Sequence, residues 1–257
     1  MTLRLAAAIR AVARALKARR ATEPDVAAKR RAEAVLAKLV AGYFARLTRK
    51  AAAVLRANPP RQQKASYVAD EFDDEFFDDA DFFNALLTLL LAAQRLGALS
   101  LPVMLGLDLD LTATNREAAD AARAYTYDLV RGLTDTSRAA LQDTISAFVE
   151  TPGMTIGDVV ERLPFDEQRA ALIATTEITR AYATGQAAAG AALKDQFPDV
   201  RVVKEWFTDN DDHVCPICEP LDGQEVDEGD KFGGEFDGPP AHPGCRCWVS
   251  YRTRING

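Results

Sequence analysis

Every cysteine and both histidines of this chain fall between His213 and Cys247, and that crowding constrains the fold more than any other feature of the sequence. Four of them form two phrases with one grammar, Cys215-Pro216-Ile217-Cys218 and His242-Pro243-Gly244-Cys245. Each reads as ligand, proline, free position, ligand, so that a tight turn carries two donors on one side. Two such turns facing each other supply the four nitrogen and sulfur donors that zinc takes in a tetrahedral structural site. At the N-terminus Arg4, Arg10, Arg14 and Lys17 interrupt a short apolar run, so no secretory signal is expected there. The thiols are therefore read as metal ligands and not as disulfides.

The predicted zinc ligands are Cys215, Cys218, His242 and Cys245, with Cys247 a fifth candidate. Cys245 to Arg252 reads as a closing strand, in which residues 245 and 247 share a face. Cys247 thus either replaces His242 or packs beneath the site as a small hydrophobe. A catalytic zinc would keep an open position beside a carboxylate base, and Asp209, Asp211 and Asp212 lie just upstream. That makes a zinc-dependent hydrolase or nuclease acting on nucleic acid the alternative function. Three or four thiolates close the shell and weaken the Lewis acid, which favours a structural zinc. No catalytic and no other cofactor-binding residues are assigned. Asp209-Asn210-Asp211 imitates a calcium loop, but Val214 occupies the position where glycine is required.

Upstream the pattern is helical. Residues 2–56 are rich in Ala, Leu, Arg and Lys, predicting two helices split near Pro24 and stopped by Asn58-Pro59-Pro60, with Arg61 to Ser66 as a polar linker. From Asp70 to Leu90, Phe72, Phe76, Phe83, Leu86, Leu87 and Leu90 recur at helical spacing, with Asp73, Asp74, Asp78, Asp79 and Asp81 on a solvated face. Ala85 to Leu107 contains Gln94, Arg95, Ser100 and Pro102 and predicts a buried helical hairpin, not a membrane span. Residues 115–150 predict two more helices, the second marked by Leu141, Ile145, Phe148 and Val149 and ended by Thr151-Pro152-Gly153. Thr155 and Asp158 form a capping box for a short helix ending at Pro164, and a long helix follows from Glu167 to Lys194. On that helix Glu177 and Arg180 predict a surface ion pair. After Pro198 the period falls to two, and Val200 to Phe207 reads as a strand. Trp206 and Trp248, the only tryptophans, are expected to pack on each other or on the turns.

The fold class expected is mainly α, a helical body with a small C-terminal zinc-stabilised α+β lobe of β-hairpins. Charge divides the chain along the same lines: residues 1–66 hold 16 Lys/Arg against three acids, +13, which leaves −20 on the remainder. The predicted domains are a basic helical N-terminal arm (1–66), an acidic helical body (67–196) and a zinc-knuckle lobe (197–257). The arm is either a set of solvated helix faces or a cationic docking surface for nucleic acid or an acidic protein. The lobe, of about 60 residues, has little core of its own, and a structural zinc supplies roughly 10–16 kcal/mol of apparent binding energy.

Ala174-Thr175-Thr176-Glu177 with Arg180-Ala181-Tyr182, then Trp206-Phe207-Thr208, Asp212, Cys215-Pro216-x-Cys218, Leu221-Asp222-Gly223 and Pro239-Pro240-Ala241-His242-Pro243-Gly244-Cys245-Arg246-Cys247 together resemble the phage Mu F-like head morphogenesis family. The resemblance covers roughly residues 103–252, and Thr175 stands where that family often has arginine. It implies a structural minor capsid protein of a tailed bacteriophage or prophage, not an enzyme, associated with the portal vertex during head assembly and DNA packaging. The partners it implies are the portal protein and the major capsid protein, with packaged DNA meeting the basic arm, and no membrane. The implied location is the phage head, and the host cytoplasm during assembly.

Overall fold

A computed structural model describes residues 25–59, 72–105, 109–151, 153–208 and 215–255. The helix expected before Pro24, the linker Arg61 to Ser66, Pro152 and the stretch Asp209 to Val214 lie outside the described residues.

Helix α1 (Val26–Ala57) follows from its alanine- and leucine-rich sequence. It buries Leu36, Val40, Tyr43, Phe44, Leu47, Ala51 and Leu55, which recur every three or four residues and form one face. Asn58 closes it, its amide bonding the Val54 carbonyl, just before Pro59. The single helix expected over 70–90 is instead two, α2 (Asp74–Phe77) and α3 (Ala80–Leu105). Asp73 accepts from the Phe76 amide at 3.0 Å and Asp79 from the Phe82 amide at 2.9 Å, so each aspartate starts its own helix. The interruption moves the inward register from the expected Phe83 to Phe82, which stacks on Tyr43 at 4.2 Å. Asp79 is also not merely solvated: Arg46 donates to it at 2.7 Å, and the Phe82 amide together with that cation holds its carboxyl below the usual range despite burial.

No hairpin forms between Ala85 and Leu105. Helix α3 runs straight through Gly97 and carries Pro102 within its length. It is long and apolar enough to cross a membrane, with 44 % of its apolar window buried inside the protein and Val103 81 % exposed. Residues 112–150 likewise form one helix, α4 (Thr112–Glu150), where two were expected. The span contains no proline, and Gly132 alone costs only about 1 kcal/mol, too little to break a helix supported on both sides. Leu141 and Ile145 are buried as their spacing requires. The Thr155–Asp158 capping box is present at the start of α5 (Ile156–Glu161), and Asp166 caps α6 (Glu167–Gln196).

Helices α1 and α4 run antiparallel to α6, as the pairs Phe44 with Arg169, Asp25 with Tyr182, Thr136 with Arg169 and Tyr125 with Glu177 establish. Helix α3 runs parallel to α6, with Ser100 beside Gln186 and Asp110 beside Gln196. Their backbones touch: a Cβ added to Gly97 would fall on the Tyr182 carbonyl, and one added to Gly185 on the Gln94 carbonyl. One core fills the bundle around Phe44, Phe72, Phe82, Leu86, Leu141 and Ile178. A second core joins the distal halves of α3 and α6, through Ala98, Leu101, Ala189 and Leu193, to the C-terminal lobe.

The lobe is a three-stranded antiparallel sheet in the order β2-β1-β3, with β1 Val200–Phe207, β2 Glu225–Asp227 and β3 Trp248–Ile255. The closing strand therefore begins three residues later than expected, and Cys245 to Cys247 precede the ladder. Register pairs Trp206 with Val249 and Phe207 with Trp248. Successive residues point to opposite faces, so the two tryptophans are kept apart. Trp206 meets Phe232 edge-on at 5.2 Å and Trp248 stacks on Phe207 at 4.4 Å.

A candidate metal centre between two turns

The first turn is closed by the Cys218 and Glu219 amides, both bonding the Cys215 carbonyl at 3.0 Å. The Cys218 amide also lies 3.4 Å from the Cys215 sulfur. The second turn is closed by the Cys245 amide on the His242 carbonyl at 3.1 Å and passes through Gly244 at φ 76°, a conformation that favours glycine. Residues after the first turn brace it against the sheet. Asp222 accepts from both the amide and the hydroxyl of Thr208, at 2.9 and 3.0 Å, and the Gly223 amide bonds the Trp206 carbonyl at 2.8 Å.

The structure brings all five predicted residues together as two overlapping groups, Cys215, Cys218 and His242, and Cys218, Cys245 and Cys247, each with its donor atoms within 4.8 Å of one another. Cys218, Cys245 and Cys247 are buried and Cys215 is half-buried, and none forms a disulfide. His242 Nδ1 lies 2.8 Å from the Pro243 carbonyl, which can only accept, so Nδ1 carries the proton. In the neutral imidazole Nε2 then holds the lone pair, and it faces Cys215 Sγ at 3.0 Å.

Part of this donor set has the spacing of a tetrahedral zinc site, while the Cys215–His242 pair, at 3.0 Å, is closer than the roughly 3.5 Å that such a site sets. With zinc–sulfur bonds of about 2.3 Å, two ligands at the tetrahedral angle stand about 3.8 Å apart, and the Cys218 and Cys245 sulfurs are separated by 3.8 Å. Hydrogen bonding with Cys247 lowers the Cys245 thiol against burial. The same contact raises Cys247, and burial raises Cys218.

Several contributors were not anticipated from the sequence. The Thr176 hydroxyl on α6 accepts from the Gly244 amide at 2.8 Å. Glu177, expected in a surface ion pair, is 6 % exposed. It accepts a short hydrogen bond from the Tyr125 hydroxyl, with the Arg180 Nε at 3.5 Å. Burial raises its carboxyl above the ordinary range, opposed by Tyr125 and Arg180. Lys204 is buried on the inner face of β1, donates to the Asp237 carbonyl at 2.8 Å and lies over the Phe232 ring. Its alternation with Val202 and Trp206 was the available signal.

Compared with known proteins, residues 135–250 match the model of the family described as Phage Mu protein F like protein. The match enters in the second half of α4 and leaves within β3, taking in α6 and both cysteine turns. Neither a curated protein nor a solved structure matches the chain.

Proposed function

We propose, with the chain's membership of the Phage Mu F-like family through residues 135–250 as the premise, that this is a structural minor component of a tailed-phage or prophage head whose C-terminal lobe is held by one zinc ion. It acts by docking, associating with the portal protein and the major capsid protein during head assembly and DNA packaging. It resides in the phage head, and in the host cytoplasm while the head is built. Family membership supports the assembly role, since this is a structural head protein family.

The observation that carries the metal reading is the convergence of the Cys215–Cys218 turn on the His242–Cys245 turn, with a nitrogen lone pair and buried sulfurs directed at one another. Zinc bound there would cross-link two distant turns and lend the lobe folding energy. Cys215, Cys218, His242 and Cys245 would hold it, with Cys247 buried beside them. So sulfur-rich a shell works against the hydrolase or nuclease alternative.

Elemental analysis of the purified full chain is expected to find one zinc per molecule. Chelation is expected to change the fluorescence of Trp206 and Trp248, both in the lobe, and to abolish co-sedimentation with the portal oligomer. A metal-free protein, or tryptophan fluorescence indifferent to chelator, defeats the zinc reading. Portal binding that persists after the lobe unfolds defeats the docking role.

A further inference from the structure

We propose that Thr176 is a positioning residue for the metal site, acting on His242 through a single peptide plane; the inference rests on the metal reading above. Thr176 lies one helical turn beyond Leu172 on α6, and its hydroxyl donates to the Leu172 carbonyl at 2.7 Å. With its proton committed to its own helix, the oxygen is left as an acceptor. It takes the Gly244 amide at 2.8 Å. The turn rests directly on the helix here, since a Cβ on Gly244 would reach 2.8 Å from a Leu172 methyl.

The Gly244 N–H and the Pro243 C=O are the two ends of one peptide unit, which is planar, so fixing the direction of one fixes the other. The Pro243 carbonyl is the acceptor for His242 Nδ1 at 2.8 Å. A relay therefore runs from the Thr176 oxygen to the Gly244 amide, across the plane to the Pro243 carbonyl, and into the imidazole. It sets both the tautomer and the aim of Nε2 toward Cys215. The lobe's metal site is thereby gauged against a helix of the bundle, and not only against its own turns.

Removing a partner of this kind lowers metal affinity by roughly 10–100-fold. Thr176→Val, which keeps the shape and loses the acceptor, is expected to weaken zinc binding to that extent in a chelator competition with the full chain, and Thr176→Ser to restore it. The decisive measurement is a double-mutant cycle with His242→Ala. If Thr176 acts through the imidazole, Thr176→Val costs no further affinity once His242 is gone. Additive losses, or unchanged affinity in Thr176→Val, overturn the proposal, because a residue that only packs would act equally in both backgrounds. Should Thr176→Val fail to fold, Thr176→Ala runs the same cycle. A native chain that binds no zinc defeats the metal reading itself, a result distinct from either.

Discussion

Cys218 belongs to both groups of candidate ligands, whereas Cys247 belongs to one. The two cysteines should therefore answer differently to the same substitution. Cys218→Ser is expected to lose the metal, and Cys247→Ser to keep one zinc per chain with weakened affinity, both read by elemental analysis after gel filtration. Loss of metal in Cys247→Ser together with retention in Cys245→Ser would exchange their roles. Four of the five candidates were legible in the sequence because each turn is local: three peptide bonds and a proline fix where two ligands point. Thr176 was not legible, since its partner Gly244 lies 68 positions away and only the folded chain joins them. Glu177 shows the same limit from another side. Its spacing to Arg180 predicts the contact, but burial depends on Tyr125 from α4, which no local pattern reveals.

Helices α3 and α6 approach each other more closely than any side chain but hydrogen allows at Gly97 and Gly185. The obstacle at each is a backbone carbonyl, which cannot swing aside as a side chain can. Gly97→Ala or Gly185→Ala is thus expected to destabilise the protein by about 3 kcal/mol or more in urea unfolding, the upper range for overpacking. Gly132, on the exposed side of α4 with open space around it, serves as the control. Gly132→Ala should stabilise by about 0.5–1 kcal/mol through helix propensity. Equal effects at the three glycines would refute the close crossing. Periodicity marked helix along every long helix that the described residues contain, but it divided α3 into a hairpin and α4 into two helices. It failed where continuity was decided by a few polar atoms. Asp73 and Asp79, counted as surface charge, interrupt a helix by capping backbone amides, and Pro102 fails to end one.

Across the whole molecule, the excess of basic residues over positions 1–66 takes a definite form on α1. Arg31, Lys38, Arg49 and Arg56 are exposed, and at 100° per residue they fall within about 20° of one line. The line spans about 37 Å and runs opposite the buried face of Leu36, Val40 and Leu47. Glu33, the only acid of the helix, lies on the other side, and Gly42 and Ala45 fill the stripe between the cations. A row of cations separated by small residues, with the exposed Val35 beside it as its large apolar side chain, suits a uniform polyanion better than a protein surface, which needs several buried anchors. The partner expected for this face is therefore the duplex DNA backbone. Each phosphate neutralised contributes about 0.9 to the slope of log affinity against log salt. Reversing all four residues to glutamate in the full chain should lower that slope by about 3.6, measured by fluorescence anisotropy with a duplex of random sequence. Because phosphate contacts carry no sequence information, the loss should be the same for any duplex. A slope unchanged by the four reversals would remove DNA from this face. If those reversals instead abolished co-sedimentation with the portal oligomer, the stripe would be assigned to an acidic protein partner.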